Sequence, residues 1–192
     1  MSTPIADGST AGKHTGLLLT ARLTVSETAL RMTLTAENRG TGGAYLRTRP
    51  MLYGVATRRP YSVLRDDGTL LLSYLPAPTP PNLNVLAPTP VYSRLVAPGE
   101  RYEDSFEIAI PVEERHPYCP LEYPPGAQRV MAKSVLLVTE ACTADSVGTP
   151  RPGPENQPEL VYVWGDVRDE LTIALEVAVP VLRRTDPGFY RF

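Results

Sequence analysis

The chain is short of the residue types that most often announce chemistry: its 192 residues include two cysteines, two histidines and one tryptophan. Two cysteines, Cys119 and Cys142, are too few for a disulfide scaffold. A strand beginning near residue 130 separates them by roughly 30 Å of extended chain, which argues against a bridge. A zinc site needs four ligands at recognisable spacing, and His14 stands far from the stretch holding His116 and Cys119. No metal and no cofactor is expected. Basic excess is missing too: 19 Lys and Arg against 21 Asp and Glu leave a net charge of −2. Counterion release therefore has little to work with, and no nucleic-acid partner is expected. No apolar run approaches the ~20 residues that cross a bilayer, so no membrane span is expected. The first residues, MSTPIADGSTAGKHTG, lack the charged-then-apolar pattern of an export signal, and a cytoplasmic location is the simplest expectation.

Catalytic motifs are equally scarce. There is no phosphate-cradling glycine loop, nucleophile elbow or HExxH pattern, and no DxDxDG calcium loop. Carboxylate pairs for glycoside hydrolysis can be drawn almost anywhere among 21 acidic residues, and spacing singles out none. The one suggestive run is HPYCPLEYPPG, residues 116–126. A nucleophilic cysteine needs a depressed pKa and a base within hydrogen-bond reach. His116 and Cys119 lie three apart around Pro117 on extended chain, where their side chains could meet only at a sharp turn, and no oxyanion segment accompanies them. No catalytic residue is assigned, and Cys119 reads as a small hydrophobe under the loop.

Proline and strict alternation are what the chain has instead. Its 21 prolines are about twice average usage, and proline is excluded from helix interiors and central strands. Residues 17–26, 28–37, 102–110 and 171–179 alternate apolar with polar, the mark of half-buried strands. Leu19, Ala21, Leu23 and Val25 share one face, as do Leu30, Met32, Leu34 and Ala36. The run VMAKSVLLVT, 130–139, reads as a central strand covered on both faces. Residues 44–55 contain Pro50, which predicts an edge strand or a bulge. Strands over 61–65 and 69–75 flank the hairpin turn Asp66-Asp67-Gly68, a further strand covers 91–96, and 160–164 adds a short one. No segment has helical periodicity.

The segments LTAENRGTGGAYL, 34–46, and LVAPGERYEDSFEIAI, 95–110, resemble the strand–Asn–Gly–strand and "PGE then strand" junctions of bacterial immunoglobulin-like domains. The resemblance spans about two thirds of the chain and implies a fold, carrying no catalytic residue across. The fold class expected is all-β: an immunoglobulin-like antiparallel β-sandwich of about 8–9 strands with long Pro-rich loops. Its domain would run over 16–182, with 1–15 a polar leader and 183–192 an aromatic tail.

Counting strands up and down places the connections 39–43, 66–68, 97–101 and 141–169 at one end, and 56–60, 76–90 and 111–128 at the other. At the proline-rich end, Tyr118, Tyr123 and Tyr92 would gather with Arg58 and Arg59, the residue types that interfaces concentrate. The tail residues Phe189, Tyr190 and Phe192 are further candidate anchors. At the glycine-rich end, Trp164, Tyr162 and Asp166 would form a ligand platform, and Asp66, Asp67 and Asp166 would be the oxygens available to Ca²⁺. The function expected is a non-catalytic interaction or assembly protein that binds another protein or a second copy of itself. A carbohydrate or small-ligand module using Trp164, or a pocket-type enzyme of bacterial secondary metabolism, are the alternatives.

Overall fold

The computed structural model describes residues 4–52, 54–79, 89–118 and 126–185. In chain order the strands are β1 (Ile5–Ala11), β2 (Leu17–Val25), β3 (Ala29–Asn38), β4 (Ala44–Leu52), β5 (Val55–Ala56), β6 (Tyr61–Leu64), β7 (Thr69–Ser73) and β8 (Val91–Val96). They continue with β9 (Arg101–Ala109), β10 (Val112–Glu113), β11 (Gln128–Ala132), β12 (Ser134–Thr143), β13 (Arg151–Pro152), β14 (Leu160–Tyr162), β15 (Arg168–Leu175) and β16 (Val179–Arg183). One 3₁₀ turn, Ala144–Ser146, follows β12. The protein is an all-β sandwich, and among the described residues no helix is long and apolar enough to cross a membrane.

One sheet has the order β1-β2-β3-β9 and is antiparallel throughout. The larger sheet runs β13-β14-β8-β4-β12-β7-β6, with β15 also on β12 and β5 on β4. A small third sheet, β10-β16-β11, extends it at one end. The alternation read from the sequence is the alternation of burial: Leu17, Leu19, Ala21, Leu23 and Val25 of β2 and Leu171, Ile173 and Leu175 of β15 all face one shared core. The strand number exceeds expectation because the loops carry two- and three-residue strands, and because the 130–139 run breaks. At Lys133 the chain changes sheets: its N–H donates to Gly68 O at 2.9 Å, leaving β11 on β16 and β12 in the larger sheet. Pro50 sits beside the expected bulge, a register shift between Arg47 and Arg49.

β12 organises the larger sheet. Along one edge it pairs with β15 from Val135 to Cys142. Its other edge is shared: β7 takes residues 134–138, in parallel, and β4 takes 141–143. Two pairs, β7–β12 and β10–β16, are parallel where an antiparallel sandwich was expected. The parallel run of β7 also overturns the strand-parity map. Asp66 and Gly68 lie against Arg183 and Lys133, at the end of β12 opposite to the 39–43 loop, whose Gly43 carbonyl accepts from Ala144. Asp66 and Asp67 are thus far from Asp166, and the proposed calcium cluster is not formed.

The junction at 34–46 owes its shape to one side chain. Asn38 is buried; its amide donates to Gly42 O and Val96 O, both at 2.9 Å, and its Oδ1 accepts from Gly40 N. It fastens the glycine loop to β8 across the sandwich. In the 97–100 turn Gly99 takes φ 76°, a left-handed conformation that favours glycine, while Glu100 caps Ala97 N–H.

The stretch expected as a polar leader is structural instead. Residues 5–11 pair with β2 from Ile5↔Thr24 to Ala11↔Leu18. A Cβ on Gly8 would lie 2.4 Å from Ile173 Cγ2, so glycine there lets β1 press against β15 and close that side of the sandwich. The strand escaped sequence reading because IADGSTA has almost no apolar residue to alternate; its backbone, not its side chains, does the pairing. Next to it, the buried Asp169 carboxylate accepts from His14 N, Thr15 N and the Thr15 hydroxyl, the last two at 2.8 and 2.7 Å.

Burial pushes the Asp169 carboxyl up, but these hydrogen bonds outweigh it and hold its pKa below the usual carboxylate value. A carboxylate with a depressed folded-state pKa contributes stability that is complete above its unfolded pKa, about 3.9, and fades as pH falls through the folded value. Asp169→Ala should cost about 1–3 kcal/mol at pH 7. Urea denaturation across pH should show the gap to wild type narrowing below about pH 4; a gap independent of pH would refute the charged clamp.

Candidate functional site

The two long sides of the sandwich differ. One is closed by β1 lying on β15. On the other, β9 faces β8 and β14 across an opening, a cleft of about 170 Å³ lined by Arg49, Arg58, Arg94, Tyr102, Asp104 and Leu160 among others.

The cleft begins with a carboxylate in an apolar row. In β9 the residues Tyr102, Asp104, Phe106 and Ile108 point inward, and Asp104, Phe106 and Ile108 are buried. An unpaired buried carboxylate costs several kcal/mol or more, so Asp104 needs partners. Arg49 donates Nη1–H to Asp104 Oδ2, Ser105 N–H donates to Oδ1 at 2.9 Å, and Arg58 Nη1 stands 3.7 Å from Oδ1. Arg49 reaches across from β4 because of the bulge. The register shift interrupts strict alternation, and Arg47, Thr48 and Arg49 are buried in succession. Arg47 joins Glu140 at 2.9 Å, while Arg49 also donates to Thr48 O at 2.8 Å and to Tyr102 OH at 3.4 Å.

The electrostatics are those of a fixed ion pair. Burial works against the Arg49 charge, and Asp104 outweighs it, raising the guanidinium pKa. Burial, then the Asp104 charge, push the Tyr102 phenol up, so it stays protonated. Arg94 from β8 lies over the Tyr102 ring, 4.8 Å from its centroid, and 3.6 Å from Glu100. Arg58 is the open member, its side chain 65% exposed. Three guanidinium groups, of Arg49, Arg58 and Arg94, share the lining with the carboxylates of Glu103, Asp104 and Glu159, and among the described residues the buried Nε atoms of Arg49 and Arg94 have no partner. Arginine offers five donors and no acceptor.

The structure distributes the sequence candidates unevenly. Arg58 lines the cleft, and half-buried Tyr92 pairs with Arg49 across β8 and β4. Arg59 donates to Glu113 O at 3.2 Å. Tyr118 packs on a small cluster of Leu52, Tyr61 and Ala77, and its hydroxyl accepts from Thr89 N. Tyr123, Phe189, Tyr190 and Phe192 lie outside the described residues, as do Cys119 and Glu122. His116 is buried, and its Nδ1 accepts from Tyr118 N–H at 3.2 Å. Of the other group, Trp164 is 59% exposed with the Arg168 guanidinium 5.0 Å from its ring centroid; Tyr162 is half-buried and Asp166 exposed. Burial pushes the Cys142 thiol up to about 11, which leaves it inert. No group of three or more metal-ligating side chains gathers among the described residues.

Sequence reading overlooked Arg49, Arg94, Tyr102 and Asp104. A signal existed: extending the Phe106–Ile108 alternation backwards places Asp104 in the core row, and a carboxylate there demands a cation from the facing sheet.

Asp104→Ala should leave Arg49 buried without its counter-charge and cost about 3–5 kcal/mol. The double replacement Asp104→Leu with Arg49→Met should recover most of this in urea denaturation, since an apolar pair of similar volume is often neutral. A double variant as unstable as the single one would contradict the pairing. Compared with family models, curated proteins and solved structures, the chain matched none.

Proposed function

We propose that the chain is a binding module that engages a partner protein on the open side of its sandwich and holds a carboxylate of that partner in the arginine cleft. The observation that carries this reading is the convergence of three guanidinium groups on the cleft, with that of Arg58 exposed beside the Arg49–Asp104 pair. Size supports a protein partner. Ligand pockets run from roughly 300 to 1,000 Å³, and a cleft of about 170 Å³ suits one side chain. Arg and Tyr are also the residues on which interface energy concentrates. The reading as a binder rather than an enzyme is supported by the state of the reactive groups. Asp104 is held by Arg49, Cys142 is buried, and His116 is buried with its Nδ1 engaged.

The competing reading is a ligand platform at Trp164, favoured by that ring's exposure. It is weaker because one face already carries Arg168. An NMR titration with N-acetyl-glutamate N-methylamide separates the two. Saturable shifts are expected at the amides of Arg49, Arg94, Tyr102 and Ser105, and Arg58→Glu should abolish them. Shifts centred on Trp164 and Arg168, or none that saturate, would overturn the proposal.

A further inference from the structure

We infer that the partner delivers its carboxylate on an extended segment that adds as a new strand to the free edge of β9. This rests on the cleft reading above and specifies how the partner docks.

Among the described residues, strand β9 pairs with β3 on one edge only. Two bonds fix which backbone groups are used: Asn38 N donates to Glu100 O at 3.0 Å, and Ile110 N donates to Thr28 O at 2.9 Å. In an antiparallel ladder the residues that exchange bonds alternate. With Glu100 and Ile110 turned toward β3, so are Tyr102, Asp104, Phe106 and Ile108. Arg101, Glu103, Ser105, Glu107 and Ala109 turn their N–H and C=O groups to the open side. Among the described residues, one of these groups is engaged: Ser105 N–H, held by the Asp104 carboxylate.

Long edges are normally blunted by proline, charged side chains, an inward-pointing charge, a bulge or a covering element. β9 has no proline, lysine or bulge: its register to β3 is uninterrupted from Ala29↔Ala109 to Glu37↔Arg101, and its inward charge, Asp104, is paired with Arg49. Among the described residues two other edges are covered, while β11, five residues long, pairs with β16 alone. β1 lies on β15, and β6 exchanges both backbone bonds between Ser62 and Arg115. The open edge also borders the arginine cleft, to which Tyr102, Glu103, Asp104 and Ser105 all contribute. A strand added there sends alternate side chains inward, and an inward Glu would meet Arg58, Arg94 and Arg49. Strand addition gives affinity through the backbone and specificity through such pockets. A second copy of β9 is a poorer occupant: pairing centred on Ser105 sets Glu103 opposite Glu107, and like charges directly opposite destabilise a ladder.

The test uses a capped, fluorescein-labelled peptide, Thr-Val-Thr-Glu-Thr-Val-Thr, measured by anisotropy and by amide hydrogen exchange. It should bind at least about tenfold tighter than the capped single glutamate, since each added backbone bond contributes about 0.5–1.5 kcal/mol. Exchange at Glu103 and Glu107 should slow, while Tyr102 and Asp104, already bonded to β3, should not change. A peptide N-methylated on the backbone nitrogens that face β9 should lose the gain; because it leaves the protein untouched, this result does not depend on any variant folding. Glu107→Pro should also weaken the unmodified peptide at least tenfold. If the capped glutamate binds and the peptide binds no better, strand addition is wrong and the cleft reading stands. If neither binds, both fall. If light scattering shows a dimer with Glu103 and Glu107 protected in the absence of peptide, the edge belongs to a second copy and the inference is overturned.

Discussion

The ion pair between Asp104 and Arg49 is the constraint around which the open side of this protein is arranged. Asp104 occupies a position in β9 that an alternating strand assigns to the core, and a core carboxylate is tolerable only with a hydrogen-bonded cation beside it. The cation comes from β4 in the opposite sheet, so the pair links the two sheets where, among the described residues, no strand closes them. The bulge between Arg47 and Arg49 lies beside the pair: Arg47 meets Glu140, while Arg49 turns to Asp104. Replacing the pair by aliphatic residues would be an easier way to stabilise a sandwich. Its presence is therefore better explained by what the pair holds in place than by stability alone.

What it holds in place is a graded set of guanidinium groups. Arg49 is buried and rigid, Arg94 is braced between the Tyr102 ring and Glu100, and Arg58 extends into solvent. The buried member costs most to desolvate, and that cost is already met by Asp104 in the folded chain. Under the proposed function, a carboxylate arriving from outside would meet donors that need little reorganisation, which is how preorganisation yields affinity from a small contact. The sharing of β12 between β7 and β4 contributes to this geometry. Because β4 leaves β12 after Leu46, its later residues are free to follow β8 toward the cleft.

Much of the fold was legible in the chain. The inward rows of β2, β3, β9 and β15 could be read residue by residue, because each has one face in a common core and period-two alternation records that directly. Pro50 announced the bulge, and Asn38 announced the glycine-loop junction. Three features were not legible, each for a physical reason. β1 is held by backbone pairing and a glycine contact, which leave no hydrophobic pattern. The parallel run of β7 along β12 is a choice of direction that no local sequence encodes, and it sent Asp66 and Asp67 to the wrong end. The break at Lys133 lies inside an apolar run, where both sides look like one strand.

The site was half legible. Arg58 was singled out as a surface arginine, yet its setting depends on Asp104, 46 positions later in the chain, and on a bulge that brings Arg49 across the sandwich. Aromatic and proline density drew attention to the 111–126 loop, but residues there that the structure describes serve packing: Tyr118 covers a small apolar cluster and His116 is buried. A polar residue breaking an apolar row proved the better pointer. Aromatic residues in loops have an ordinary structural use, whereas a carboxylate in a core row has a cost that something must offset. Following that cost leads from Asp104 to Arg49, then to the guanidinium groups of Arg58 and Arg94 around the pair, and so to the cleft.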